Sequence, residues 1–86
     1  MKVIKFSLNP GYTTIDHPGS LQFLHTDVQD QITAWWLEDR TQPPQIIQIY
    51  TALTGEDLPP GYTKYLGSKQ VLTPEPFVYH IFQYAS

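Results

Sequence analysis

At 86 residues, with 41% hydrophobic and only 15% charged side chains, the chain has room for one domain, residues 1–86, and too little charge for intrinsic disorder. It contains no cysteine, which excludes disulfide frameworks, thiol catalysis, Fe–S clusters and cysteine zinc sites. Five basic against eight acidic residues give a net charge of −3, and without a Lys/Arg cluster, long nucleic acid is excluded as a partner.

The elements follow from Pro/Gly punctuation and period-two alternation. Residues 2–8 place Ile4, Phe6 and Leu8 on one face and Lys5 and Ser7 on the other, a half-buried strand. Asn9-Pro10-Gly11 is a turn. Residues 12–16 are aromatic and β-branched, and His17-Pro18-Gly19 stops them. Residues 21–28 alternate again, with Leu24, Thr26 and Val28 opposite Leu21, Phe23 and His25. Gln29-Asp30 is the hairpin connection to residues 31–37. That run carries Trp35 and Trp36, and adjacent residues of a strand point to opposite faces. One tryptophan therefore belongs to the core, and the other faces solvent, a partner or a second layer. A helix over residues 27–38 is the alternative, since Val28, Ile32 and Trp35/Trp36 also have helical spacing.

Residues 38–44 read as a polar loop ending in Pro43-Pro44, and residues 45–51 as the cleanest strand. Residues 53–61 form a long connection; residues 62–67 and 77–84 complete the strands. Pro-Gly-Tyr-Thr occurs at Pro10–Thr13 and again at Pro60–Thr63 and reads as two similar turns rather than a duplication. Six to seven short strands predict an all-β fold, a small single-domain antiparallel sandwich or barrel. No hydrophobic run approaches the length of a membrane span or signal-peptide core. A soluble, cytoplasmic protein is the expectation.

Catalytic signatures are missing. No serine lies in Gly-x-Ser-x-Gly, and no glycine-rich phosphate loop is present. Glu38/Asp39 and Glu56/Asp57 read as solvated loop charges rather than an acid/base pair. His17 and His25 lack the tight spacing of metal ligands, with His17 at a strand end and His25 partly exposed. His80 reads as a packed, hydrogen-bonded histidine. No enzyme, metal or cofactor is expected.

Binding is the remaining class. Trp35 and Trp36, with Tyr50, Tyr62, Tyr65, Tyr79 and Tyr84, exceed what so small a core can bury, and Tyr and Trp dominate interface hot spots. Trp35, Trp36, Tyr50, Tyr62 and Tyr65 are the aromatic candidates. Arg40, Lys64 and Lys69 would supply charge if the ligand were a small nucleotide stacked on these rings. An outward tryptophan also favours a homo-oligomer.

The order of these features resembles a family of short, uncharacterised β-rich domains encoded mainly by phages and prophages. The likeness rests on Met1–Ile4, Leu21–Val28, Ala34–Leu37, Ile47–Tyr50, Thr54-Gly55 with Leu58-Pro59, Tyr65–Gly67 and the aromatic-Val-aromatic-His-hydrophobic-Phe strand at Phe77–Phe82. Gln45 or Gln48 stands where the family often has an arginine, and Gln83 where it has a glutamate. The resemblance implies a non-enzymatic phage accessory protein in the host cytoplasm. Such a protein would serve host takeover or anti-defence, inhibiting a host defence protein or acting as an oligomeric sponge for a nucleotide immune messenger. A structural or assembly role in the virion is the further alternative.

Overall fold

Alternation at period two divides the chain between two sheets. The computed structural model describes residues 1–29, 31–71 and 76–84. These contain seven strands: β1 (Lys2–Ser7), β2 (Gly11–His17), β3 (Ser20–Gln29), β4 (Gln31–Asp39), β5 (Gln45–Leu53), β6 (Tyr62–Val71) and β7 (Phe77–Tyr84). They pair antiparallel as a three-stranded sheet, β1-β4-β3, and a four-stranded sheet, β2-β5-β7-β6. The fold is an all-β sandwich. Among the described residues no helix is long and apolar enough to cross a membrane.

Each sheet buries one face against the other. From the three-stranded sheet come Leu21, Ile32, Ala34 and Trp36; from the four-stranded sheet come Ile15, Ile47, Ile49, Leu66 and Ile81. Trp36 is the largest wholly buried side chain and meets Phe23 edge-to-face at 5.3 Å between ring centres. The helical alternative for residues 27–38 is not formed. β-branched and aromatic side chains there pack better on a pleated surface, and β4 lies hydrogen-bonded between β1 and β3.

Two expectations need correction. Strict alternation in β3 fails at Leu24, where the register with β4 shifts between Phe23 and His25. This bulge puts Leu21, Phe23, Thr26 and Val28 on the inner side and exposes Leu24, because an extra residue reverses the facing of all that follows. Glu38 and Asp39 are not loop residues, since β4 runs to Asp39. Glu38 is buried, as is His17, and is not a solvated charge. The Gln29-Asp30 turn lies partly outside the described residues, although Gln29 and Gln31 are cross-strand partners.

Glu38 and His17 belong to a polar stitch between the sheets. Glu38 Oε2 lies 2.8 Å from His17 Nε2 without completing a directed hydrogen bond, and its Oε1 lies 3.3 Å from Arg40 Nε. Beside them the Leu21 N–H donates to Gln45 Oε1 at 3.0 Å. A carboxylate this buried needs such partners, because burial of an unpaired charge is costly. Arg40, itself exposed, is thereby tied to the stitched end of the sandwich.

β5 and β6 are both antiparallel to β7 and so run parallel to one another. Residues 54–61 must therefore return along the sheet before β6 can start. The return begins with a tight turn in which the Glu56 N–H donates to Leu53 O at 3.0 Å. Gly55, at φ +90°, occupies the third position, where a type II turn requires positive φ.

Candidate binding face

The side chains of the four-stranded sheet that point away from the core form cross-strand rows. One row runs through all four strands: Tyr12 on β2, Tyr50 on β5, Phe82 on β7 and Tyr65 on β6. The adjacent row is Thr14, Gln48, Tyr84 and Tyr62. Ring centres are 4.8 Å apart for Tyr12–Tyr50, 5.8 Å for Tyr12–Tyr84, and 5.0 Å for both Tyr62–Phe82 and Tyr65–Phe82. Three of these contacts are edge-on and Tyr65–Phe82 is tilted, and the edge-on geometry suits the ring quadrupoles. The result is one continuous aromatic face.

Residues 54–61 cross this face as a strap held by its polar groups. The Tyr50 hydroxyl donates to the Glu56 carboxylate, and the Tyr84 hydroxyl donates to Pro59 O at 2.6 Å. Thr54 Oγ1 lies 2.7 Å from His80 Nε2, and the Tyr65 hydroxyl lies 3.4 Å from His80 Nδ1. His80 is half-buried, with both ring nitrogens engaged by these two hydroxyls. Tyr84 ends up 6% exposed beside the strap, whereas Tyr12, Tyr62 and Tyr65 stay about half exposed, at 48%, 51% and 51%.

The strap leaves a titration signature. The hydrogen bond to Glu56 raises the Tyr50 phenol above the ordinary tyrosine value, and burial raises that of Tyr84. A phenol whose folded pKa exceeds its unfolded one stabilises the fold fully below the unfolded value, and that stability fades as pH rises through the folded value. Phenolate absorbance is accordingly expected to show Tyr50 and Tyr84 ionising above the ordinary tyrosine value, with melting temperature falling across the same interval. Tyr50→Phe is expected to remove one late transition and leave the other. Two late transitions surviving in that variant would contradict the assignment.

Electrostatically the face is one-signed. Strands β2, β5 and β7 contain no Lys or Arg. Their outward acid is the exposed Asp16, and the strap contributes the exposed Glu56 and Asp57. On β6, Lys64 and Lys69 are register partners of Gln83 and Tyr79, which sit between the outward positions of β7. They flank the sheet edge and do not join the tyrosine rows.

The eight candidate residues read from the sequence do not share one surface. Tyr50, Tyr62 and Tyr65 meet on the four-stranded sheet. Trp36 is 0% exposed and is corrected from binding candidate to core residue. Trp35 lies on the outer side of the opposite sheet, against His25 at 5.2 Å, with Lys5 as cross-strand partner. Arg40 belongs to the stitched end. Tyr12, Phe82 and the strap-holding His80 were missed as members of the face. The repeated Pro-Gly-Tyr-Thr is the signal that points to Tyr12. Gly11 and Gly61 adopt φ +79° and +98°, and they set Tyr12 and Tyr62 outward on β2 and β6, the two edges of the same sheet. Among the described residues no three metal-ligating side chains converge.

A family model described as Domain of unknown function (DUF7352) matches residues 1–86. No curated protein and no solved structure matches the chain.

Proposed function

Since the chain belongs to the DUF7352 family, whose description carries no activity, we propose from its geometry that it is a non-enzymatic binding module. Its tyrosine face engages a protein partner rich in Arg and Lys. In the phage setting implied by the sequence resemblance, that partner is a host protein, and the module is an accessory factor that inhibits it in the host cytoplasm. The observation that carries this reading is the row Tyr12–Tyr50–Phe82–Tyr65, which spans every strand of the sheet.

Tyrosine rings supply large, rigid contact area and dominate interface energetics. Guanidinium and ammonium groups are attracted to their faces by about 0.5–2 kcal/mol each. Asp16, Glu56 and Asp57 add opposite charge around the same face, which speeds encounter and fixes orientation. A nucleotide messenger would need a cation among the tyrosines, and Lys64 and Lys69 sit in register with neither row. That placement supports a protein partner over the sponge.

The test is titration of isotopically labelled protein with an arginine-rich decapeptide, a glutamate-rich control and a panel of cyclic nucleotides. The arginine peptide is expected to shift amides of β2, β5, β6 and β7. Joint substitution of Tyr12→Ala and Tyr65→Ala is expected to weaken it roughly 100- to 1,000-fold, from two hot-spot side chains worth about 2 kcal/mol each. Trp35→Ala is expected to bind unchanged. Shifts confined to β1, β3 and β4, or saturable binding of a nucleotide in place of the peptide, would overturn the reading.

A further inference from the structure

The end strand of an open sheet presents backbone N–H and C=O groups that pair with another chain unless something blunts the edge. In the two sheets, β1, β3 and β6 each carry such a device. β1 exposes Lys2 and Lys5. β3 is interrupted by the bulge between Phe23 and His25, and it packs against β6 along one side of the sandwich. β6 shifts register between Tyr62 and Lys64 and again between Tyr65 and Gly67, and it carries Lys64 and Lys69. Lysines and bulges both keep an edge from pairing.

The remaining edge strand, β2, has neither. Its register with β5 is unbroken from Gly11 to His17, and it contains no Lys, Arg or Pro. Among the described residues β5 is its one ladder neighbour, and no backbone group of β2 bonds outside that ladder. Its Tyr-Thr-Thr-Ile run is made of the side chains most favoured in strands. Across the sandwich on this same side, Ile4 and Phe6 of β1 stay half-buried, with Phe6 6.4 Å from His17 between ring centres.

We propose that β2 pairs antiparallel with β2 of a second copy of this chain, about a two-fold axis at Thr14. This register overlaps the whole strand. It sets Thr14 against its own copy, Thr13 against Ile15 and Tyr12 against Asp16. Facing threonines stabilise a ladder, whereas like charges directly opposite destabilise it. An axis at Asp16 would oppose two carboxylates, so the charge on β2 selects Thr14. The strand is thus complementary to itself, and a two-fold pairing closes without building a fibre. The two four-stranded sheets join into one of eight strands, with both tyrosine faces on the same side, and the half-buried Ile4 and Phe6 of each copy lie beneath the new ladder.

The experiment is sedimentation equilibrium of the full chain without ligand. The expected mass is twice the 9.9 kDa of one chain. Thr14 is exposed, and Thr14→Asp or Thr14→Lys places like charges face to face at the axis. Each variant alone is expected to weaken the dimer about 10-fold or more, moving the mass toward that of one chain. An equimolar mixture of the two is expected to restore the dimer, which variants that failed to fold could not do. Ser68→Asp, exposed on the β6 edge, is expected to leave the dimer intact. A single-chain mass for the unaltered protein, a dimer that survives both Thr14 variants, or a mixture that stays monomeric would each overturn the proposal. The masses are read without peptide or nucleotide, so these outcomes leave the reading of the tyrosine face as it stands.

Discussion

Trp36→Ala is expected to cost about 3–5 kcal/mol, a large share of the whole stability of a domain of this size, which is on the order of 4–13 kcal/mol. The indole is wholly buried at the centre of β4, between Ile4 of β1 and Phe23 of β3 as cross-strand partners. Its removal leaves a void that neither sheet can close without breaking the ladders on both sides of β4. The indole N–H is also buried without a hydrogen-bond partner, which costs about 1–3 kcal/mol. Trp36→Phe removes that penalty while keeping a ring against Phe23, and is expected to cost clearly less than alanine. Trp35→Ala, one residue away on the outer surface, is expected to change stability by less than about 1 kcal/mol. Chemical denaturation of the three variants checks the ordering. Equal losses at positions 35 and 36 would contradict the assigned faces.

Gly19→Ala is expected to destabilise the fold by about 3 kcal/mol, toward the upper end of overpacking penalties. A Cβ at this position would stand 2.4 Å from Asp39 O and 2.7 Å from Arg40 Cα. Both are backbone atoms, so no side-chain rotation relieves the collision. The β2–β3 connection would have to move off the end of β4, carrying with it the Ser20–Asp39 pairing and the contact of His17 with Glu38. Gly11→Ala is a useful contrast, since its Cβ would meet nothing within 4 Å and only its positive φ opposes substitution. It is expected to cost about 1–2 kcal/mol, the penalty of a left-handed residue with a side chain. A denaturation midpoint for Gly19→Ala equal to wild type would show that the strands do not approach as closely as described.

The strands were legible because alternation and Pro/Gly punctuation are local signals. The opposed facing of Trp35 and Trp36 followed from strand geometry alone. What local pattern could not provide was long-range placement. The bulge at Leu24 depends on register with β4, and nothing in residues 21–28 announces it. Glu38 looked like a loop charge because its partner His17 is far off in sequence and meets it only when the sheets pack. The strap was visible as a long connection, yet its course across the tyrosines follows from β5 and β6 flanking β7, a fact of topology. For the candidate face, the tyrosines of β5 and β6 were readable as surplus aromatics. Their union with Tyr12 and separation from Trp35 required knowing which strands share a sheet.

The proposed function places recognition on the tyrosine face and not on the tryptophan face of the opposite sheet. Photo-crosslinking from a benzoylphenylalanine placed at Tyr65 in one variant and at Trp35 in another tests it most directly, in lysate of the cells in which the protein acts. Both positions lie on strands with outward side chains, so each probe is presented without disturbing the core. A discrete adduct is expected from position 65, lost on prior addition of the arginine-rich decapeptide, and none from position 35. An adduct from position 35 with nothing from position 65 would contradict it.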